Sequence, residues 1–374
     1  MYNILTLNKI AACGTDKFSN EYVCGTEVEN PVAIMVRSAS MHEMELADET
    51  IAIARAGAGT NNIPVEACAE KGVVVFNTPG ANANAVKELV ICGLLMASRK
   101  VVASMDWCKT LKGEGEAVGK LVEKGKSNFA GPEIAGKTLG VVGLGAIGFK
   151  VAVAANALGM NIVGYDPFVT DEVKAMLPEG TEVVSELNDI YKKSDYITLH
   201  LPLNDATKNM INAETLALCK DGVRILNYAR GGLVNSDAII EALGNGKCAA
   251  YVVDFPSDEI IGVEGVTALP HLGASTPESE DNCAMMAADE LIGYIEKGEI
   301  KNSVNLPNLT GLGDVETNRV CVICKEEAVE AVKSALGDVK SATRKGYGYV
   351  VADNADEAKV AGIGGVIRVR TITK

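Results

Sequence analysis

The chain has 374 residues, of which 49 are acidic and 35 basic, giving a formal net charge of -14 at pH 7. An acidic surface repels a phosphate backbone, and no stretch approaches the ~18 apolar residues that span a bilayer, which argues against nucleic-acid and membrane partners. Ten cysteines are scattered without a pairing pattern, and the first residues lack the basic and apolar segments of a secretory signal. These features predict a cytoplasmic protein of two or three domains.

Four short apolar segments in the first eighty residues predict buried parallel strands, because they are rich in Val and Ile and several are followed by turn residues. They are NILTL (3–7), VAIMV (32–36), IAIARA (51–56) and VVVF (73–76). A helical pattern, AVKELVICGLLMA, follows at 85–97. The first part of the chain is therefore predicted to be a compact α/β unit.

From residue 137 a second series of apolar segments alternates with helical patterns. The strand-like segments are TLGVVG, NIVGYD, TEVV, DYITLHL, VRILNYA, AAYVVD and VTALP. This alternation is typical of a doubly wound parallel sheet with helices on both faces.

The segment KTLGVVGLGAIGFKVA contains a GxGxxG motif between a predicted strand and a predicted helix, and the next strand ends in an acid. Glycines at these positions permit a tight turn, a close approach of backbone NH groups to a pyrophosphate, and close helix–strand packing. The acid would accept hydrogen bonds from ribose hydroxyls and repel a 2'-phosphate, so NAD is favoured over NADP. The predicted cofactor-binding residues are Gly143, Gly145, Ala146, Ile147, Gly148 and Asp166.

Three later segments, NYARGGLVN (227–235), YVVDFPSDE (251–259) and PHLGAST (270–276), each lie at the carboxyl end of a predicted strand. Open α/β sheets bind their ligands at that edge. An arginine, carboxylates and a histidine are thus expected to converge on one site, where a neutral imidazole can act as a general base.

These motifs resemble the D-isomer-specific 2-hydroxyacid dehydrogenases over residues 1 to about 310. The resemblance implies that Arg230 binds the substrate carboxylate and 2-oxygen, that Glu259 pairs with the catalytic His271, and that Asp254 holds the nicotinamide carboxamide, with Gly273 among the cofactor-binding residues. The loop before the histidine is shorter than is usual in the family, so Asp258 competes with Glu259 as the histidine's partner.

The resemblance also implies the domain organisation. A Rossmann-like NAD-binding domain (98–283) is inserted in a split flavodoxin-like substrate domain (1–97 and 284–312). The tail, 317–374, reads as strand, helix, two strands, short helix and strand, and resembles a short ACT-like α+β domain. Its CVIC sequence lies in a predicted strand, where residues three apart point to opposite faces, so no metal site is predicted there.

The loops IMVRSAS and RAGAGTNNIP resemble those of family members that oxidise 3-phosphoglycerate in serine biosynthesis. This implies a small-molecule substrate, with its phosphate at Arg37, its carboxylate at the backbone of Ala58 and Gly59, and Ser38 as a further substrate-binding residue. Lys126 is the candidate for a cation that reaches the phosphate of a neighbouring subunit, in a homodimer or homotetramer.

Two alternatives stay open from the sequence. One is another dehydrogenase of the same chemistry, acting on hydroxypyruvate, glyoxylate or D-lactate. The other is an NAD-sensing corepressor, since such binding proteins share the fold and the same polar residues. The two remaining histidines are interpreted as non-catalytic, His200 as structural and His42 as an exposed helix residue.

Overall fold

The computed structural model describes all 374 residues, and their contacts divide them into two compact units. Unit 1 comprises residues 1–82 and 276–374, and unit 2 comprises residues 83–275. No helix is both long and apolar enough to cross a lipid bilayer.

Helices and strands alternate along much of the chain. Unit 1 begins with β1 (Tyr2–Leu7), α1 (Ala12–Thr15), β2 (Tyr22–Gly25), β3 (Ala33–Val36), β4 (Ala52–Arg55), α2 (Val65–Glu70) and β5 (Val74–Asn77). Unit 2 contains α3 (Ala83–Arg99), α4 (Val101–Thr110), α5 (Val118–Gly125), β6 (Thr138–Val142), α6 (Ala146–Ala157), β7 (Asn161–Tyr165), α7 (Asp171–Met176), β8 (Glu182–Val183), α8 (Leu187–Lys193), β9 (Tyr196–Leu199), α9 (Ala213–Leu218), β10 (Val223–Asn227), α10 (Ser236–Gly244), β11 (Cys248–Val253) and β12 (Val266–Ala268). Unit 1 resumes with α11 (Pro277–Lys297), β13 (Asn318–Lys325), α12 (Val329–Leu336), β14 (Lys340–Arg344), β15 (Tyr347–Asp353) and β16 (Val366–Thr373).

The first sheet of unit 1 has five parallel strands in the order β2-β1-β3-β4-β5. The strands β3 and β4 are buried on both faces, which explains their almost continuous apolar sequences. The edge strand β2 is not among the four predicted strands, because its sequence YVCG is short and only partly buried. Helix α11 packs on this sheet and begins after Thr276, whose side chain accepts a hydrogen bond from the Ser279 amide at 3.1 Å.

The sheet of unit 2 has seven parallel strands in the order β12-β11-β10-β9-β6-β7-β8. Two separate apolar clusters contain the side chains of this sheet, one with α8, α9 and α10 and the other with α3 and α6. This arrangement confirms the predicted doubly wound α/β fold.

The tail forms an antiparallel sheet in the order β14-β15-β13-β16. One face packs on α12, and the other belongs to the same apolar core as α11 and the first sheet of unit 1. Cys321 and Cys324 belong to these two different clusters, as expected for residues three apart on a strand. The buried Arg319 donates to Asp353 at 2.6 Å and to the carbonyl of Lys297 at 2.7 Å, at the end of α11.

The observed units change at residues 82/83 and 275/276, whereas the sequence places the boundaries at 97/98 and 283/284. The first difference arises because α3 packs along its length on α6 and β11 of unit 2. The second arises because all of α11 packs with α1 and the first sheet of unit 1. The tail likewise shares unit 1 rather than forming a unit of its own.

Candidate functional site

The glycine-rich turn of unit 2 lies at the carboxyl end of β6, the strand at which the chain order of the sheet reverses. Strands β7 and β9 pair with β6 on its two sides. In open α/β sheets this switch point is where helices diverge and leave room for a ligand. The fold therefore places the GxGxxG motif at the expected position for a nucleotide.

Each glycine of the motif has a distinct geometric role. Gly143 has a φ of 94°, and a β-carbon at Gly148 would lie 1.9 Å from the Gly143 carbonyl oxygen. A β-carbon at Gly145, by contrast, would meet nothing within 4 Å. Since α6 begins at Ala146 and continues through Ile147, the space at Gly145 opens directly onto the N-terminus of a 12-residue helix.

Asp166 follows β7 and holds the glycine turn through its carboxylate. Its Oδ2 accepts a hydrogen bond from the Leu144 amide at 2.9 Å, and its Oδ1 accepts one from the Phe168 amide at 2.9 Å. A carboxylate has about four acceptor positions, so both oxygens can still accept from ribose hydroxyls. Asp166 thus holds the turn and retains acceptor positions for the predicted contact with the ribose.

The turn that carries Arg230 is built around Asn227, a fully buried residue at the end of β10. The Asn227 Oδ1 accepts from the amides of Ala229 and Arg230 at 3.2 and 3.3 Å, and its Nδ2 donates to the Arg230 carbonyl at 2.9 Å. Asn227 was not predicted from the sequence. Its position at a strand end just before the RGG turn was the available signal.

Phe255 links the predicted arginine and histidine. Its ring centroid lies 4.3 Å from that of His271 with an interplanar angle of 44°, and 5.6 Å from the Arg230 guanidinium carbon. The strands β10, β11 and β12 are neighbours, so the residues after their carboxyl ends meet. The structure therefore brings Arg230 and His271 next to the same aromatic ring.

Asp254 is a buried carboxylate without a hydrogen-bond donor. It is 1% exposed, and neither side-chain oxygen has a partner. Burial raises the pKa of Asp254 to about 6, while its own backbone amide and the charge of Arg230 act to lower it. A β-carbon on the buried Gly273 would lie 3.6 Å from Asp254 Oδ2. A ligand that brings NH donors would satisfy this carboxylate.

Glu259 and Asp258 differ in their surroundings, although both are exposed. Glu259 lines a cavity of about 460 Å³, together with Gly231, Tyr251 and Phe255, whereas Asp258 does not. The Ser257 hydroxyl, and then Glu259's own amide, lower the pKa of Glu259, so it is ionised at neutral pH. Glu259 thus borders the cavity next to Phe255, whereas neither Arg230 nor His271 lines it.

In unit 1 the predicted phosphate residues follow β3. The Arg37 Nη2 forms an ion pair of 2.5 Å with Glu280 Oε1, and both side chains are 41% exposed. The Ser38 amide donates to Asn8 Oδ1 at 2.9 Å, which fixes the backbone of this loop. Arg37 is thus half-exposed at a strand end, but it already has an acidic partner.

A second cation, Arg55, lies at the carboxyl end of β4, next to β3. Burial lowers the pKa of Arg55, and the positive charge of Arg37 lowers it further. The Nε atom of Arg55 is buried without a partner, and no carboxylate pairs with the side chain. Its Nη1 occupies the space that a side chain at Gly57 would fill. Arg55 was not predicted from the sequence, because RAGAG was interpreted as a backbone-binding loop.

The other predicted residues have separate environments. The Ala58 carbonyl accepts from Asn77 at 2.6 Å, and a β-carbon at Gly59 would have only Asn61 nearby, at 3.5 Å. In unit 2, Lys126 is exposed on a short 3-10 helix and pairs with Glu123 at 2.5 Å.

The two remaining histidines also differ. Burial lowers the pKa of His200 to about 3, and its Nε2 lies 3.0 Å from Thr198 Oγ1, which agrees with a structural role. His42 is exposed as predicted, but it lies in a turn rather than a helix, and its Nε2 is 2.9 Å from the Asn61 carbonyl oxygen.

Comparison with known families agrees with the geometry of unit 2. Residues 91–273 match the family described as D-isomer specific 2-hydroxyacid dehydrogenase, NAD binding domain. The match covers just under half of the chain. The open helix terminus at Gly145, the acceptor Asp166 and the unpartnered Asp254 fit the pyrophosphate, ribose and carboxamide of NAD.

Comparison with individual proteins indicates which enzymes of this class the chain resembles. The chain is 39% identical to D-3-phosphoglycerate dehydrogenase of Methanocaldococcus jannaschii over 273 residues, which cover 71% of this chain and 49% of the relative. Among solved structures, NAD+-bound 3-phosphoglycerate dehydrogenase of Entamoeba histolytica is 28% identical with a TM-score of 0.62, covering 81% of this chain and 98% of the other. A glyoxylate reductase from Paecilomyes thermophila is 27% identical with a TM-score of 0.66, covering 81% and 98%. The chain spans about half the length of the curated relatives that it matches.

Proposed function

We propose that the chain is an NAD-dependent D-3-phosphoglycerate dehydrogenase, which oxidises D-3-phosphoglycerate to 3-phosphohydroxypyruvate in the first step of L-serine biosynthesis. The observation that carries the proposal is the set of polar residues after the carboxyl ends of β10, β11 and β12, at the same edge of the sheet as the glycine turn after β6. The similarity to curated D-3-phosphoglycerate dehydrogenases at 33 to 39% identity supports the choice of substrate.

In the proposed reaction the residues of unit 2 have separate tasks. NAD, when bound, accepts the hydride from C2 of the substrate. Arg230 binds the substrate carboxylate with a planar guanidinium fork, and its turn is held by the buried Asn227. Neutral His271 takes the proton of the 2-hydroxyl, and the ionised Glu259 stabilises the resulting imidazolium.

Two arginines of unit 1 would bind the substrate phosphate. Arg37 is half-exposed, Arg55 is partly buried and has no carboxylate partner, and both lie at the carboxyl ends of neighbouring strands. A phosphate with nearly two negative charges compensates their mutual repulsion. The substrate carboxylate would also meet the backbone at Ala58 and Gly59.

We infer the same domain roles that the family resemblance implies. The parallel sheet of unit 1, in the order β2-β1-β3-β4-β5, supports a flavodoxin-like substrate domain interrupted by the NAD-binding domain. The tail order β14-β15-β13-β16, with a helix after its first strand, supports an ACT-like domain. Its second helix is only a short 3-10 turn, Glu357–Val360.

The proposed enzyme is a cytoplasmic homodimer or homotetramer, in which Lys126 reaches the neighbouring subunit's substrate. All ten cysteines are free, which agrees with a reducing compartment. Helix α4 has no buried residue, and its apolar side chains Val101, Val102 and Met105 are exposed in the single chain, which supports a subunit interface there. Light scattering of the purified protein tests the oligomeric state.

The substrate assignment is tested by following NADH formation with 3-phosphoglycerate and with hydroxy acids that lack the phosphate, in the unmodified protein and in Arg37→Ala. Substrate discrimination that depends on Arg37 supports the proposal. The similarity to a glyoxylate reductase favours a second candidate, a dehydrogenase of unphosphorylated 2-hydroxy acids. Activity on 3-phosphoglycerate that is unchanged in Arg37→Ala would favour that candidate.

A further inference from the structure

Unit 1 contains a second cavity, of about 630 Å³, to which the proposed reaction assigns no role. One face of α11 forms its floor, with Met285, Met286 and Gly293, and the loops at 80–81 and 299–302 contribute walls. A β-carbon on Gly293 would meet nothing within 4 Å, so the missing side chain leaves open space. Its size and partly apolar lining are typical of sites for small molecules.

The cavity is also lined by Glu290, a buried carboxyl group with one unused oxygen. Glu290 is 6% exposed, its Oε1 accepts a hydrogen bond from Asn302 Nδ2 at 2.7 Å, and its Oε2 has no partner. Buried polar atoms are normally hydrogen-bonded, since an unsatisfied one costs roughly 1 to 3 kcal/mol. Glu290 Oε2 can therefore still accept a hydrogen bond from a ligand.

Cationic groups lie at the edge of the same cavity. Lys301 is exposed and forms no ion pair, whereas Lys17 pairs with Asp289 at 2.9 Å. A ligand carboxylate would thus find an available ammonium group at Lys301.

We propose that this cavity binds a small free α-amino acid with an unbranched apolar side chain. The ligand ammonium donates to Glu290 Oε2, its carboxylate pairs with Lys301, and its side chain contacts Met285, Met286 and Gly293. This site is independent of the proposed dehydrogenase activity, because none of these residues belongs to the proposed active site.

Binding of an ammonium group requires the ionised form of Glu290. Burial raises the pKa of Glu290 to about 8, with a further increase from Asp289 and opposing effects of Asn302 and Lys301; Lys17 and Glu299 are the other charged groups of the cavity. Below pH 8 the ligand should therefore displace a proton from Glu290. Affinity should increase as the pH rises from 6.5 to 8.

Isothermal titration of the full-length protein with L-norvaline at pH 7, in buffers of different ionisation enthalpy, tests the site. We expect one saturable site and release of close to one proton. Glu290→Gln, which retains the acceptor for Asn302, should weaken binding at least about tenfold and abolish proton release. Gly293→Leu fills the cavity from a helix position where a β-carbon would meet nothing within 4 Å, and it should weaken binding to the same extent. Glu214→Gln, at an exposed glutamate of α9, should bind like the unmodified protein.

Butylamine and pentanoate, which lack the carboxylate and the amine of norvaline respectively, complete the test. Weaker binding of both, and the larger loss for pentanoate, supports the proposal. No binding of norvaline, equal binding of norvaline and pentanoate, or unchanged affinity in both Glu290→Gln and Gly293→Leu would overturn it. None of these outcomes depends on dehydrogenase activity, so failure of this site is distinguishable from failure of the proposed function.

Discussion

The carboxyl ends of the strands carry different chemistry in the two parallel sheets. In unit 1, β3 and β4 lead into Arg37 and Arg55, two cations that repel each other. In unit 2, β6 leads into a glycine turn, and β11 ends in a carboxylate without a donor. The same backbone arrangement thus presents cations at one sheet edge, which suit an anionic group. At the edge of the other sheet it presents backbone amides, which suit a pyrophosphate, and a carboxylate, which suits an NH donor.

The largest expected effect comes from removing the imidazole of unit 2. His271→Ala should lower kcat by about 10³-fold, because a positioned general base typically contributes 10²- to 10⁴-fold. NADH affinity, measured by fluorescence titration, should be retained. His42→Ala, at an exposed histidine of unit 1, is the matched control and should leave kcat unchanged. Near-normal turnover of His271→Ala would contradict the assignment of His271 as the general base.

Removing the partly buried Arg55 of unit 1 should affect substrate binding rather than chemistry. Arg55→Ala should raise KM for 3-phosphoglycerate about 10- to 100-fold, since hydrogen bonds to charged groups contribute roughly 1.5 to 3 kcal/mol. The KM for NAD should stay unchanged. Arg99→Ala, an exposed arginine at the end of α3, serves as the control. An equal rise in both KM values would contradict the separation of roles between the two sheets.

The unpartnered carboxylate of unit 2 should show in the pH dependence of stability. The pKa of Asp254 is raised by burial, so its contribution to stability is present below about pH 4 and is lost as the pH rises through about 6. The difference in free energy of unfolding between Asp254→Asn and the unmodified protein should therefore shift by about 1 to 1.5 kcal/mol in favour of the variant when the pH is raised from 5 to 8. Urea titration without NAD at the two pH values measures this shift. If the stability difference between the two proteins were the same at pH 5 and pH 8, the Asp254 carboxylate would have a hydrogen-bond donor in the free protein.

A smaller effect is expected at the ribose position. Asp166→Ser should reduce the preference for NAD over NADP about tenfold, because the repulsion of a 2'-phosphate is removed. The ratio of kcat/KM for the two cofactors measures it. Since Asp166 also accepts from the Leu144 amide, a thermal unfolding curve should accompany the assay to separate loss of the turn from loss of charge. An unchanged ratio in a folded variant would contradict the ribose assignment.

The sequence predicted the strand–helix alternation and the strand-end positions well, because buried parallel strands and GxGxxG have strong local patterns. It missed β2, a short and partly exposed edge strand with no periodic signal. The contacts group α3 with unit 2, whereas the sequence placed it with the first strands, since an amphipathic pattern shows that a helix packs but not on which sheet.

The residues of the candidate site were only partly predictable. Asn227 acts through burial and its hydrogen bonds to the RGG turn, whereas Arg55 stands out because its buried Nε has no partner. Neither property can be read from local sequence. The pairing of Arg37 with Glu280 joins positions 243 residues apart, which no motif indicates. Only the structure distinguishes Glu259 from Asp258, because Glu259 lines the cavity and Asp258 does not.

The most direct test of the proposed function is NADH formation by the purified protein with 3-phosphoglycerate, D-glycerate and D-lactate under identical conditions. We expect a kcat/KM for 3-phosphoglycerate at least about tenfold above that for either unphosphorylated acid. Equal or better turnover of the unphosphorylated acids would contradict the substrate assignment. NAD binding without turnover of any of the three would contradict the enzymatic function and favour an NAD-sensing protein.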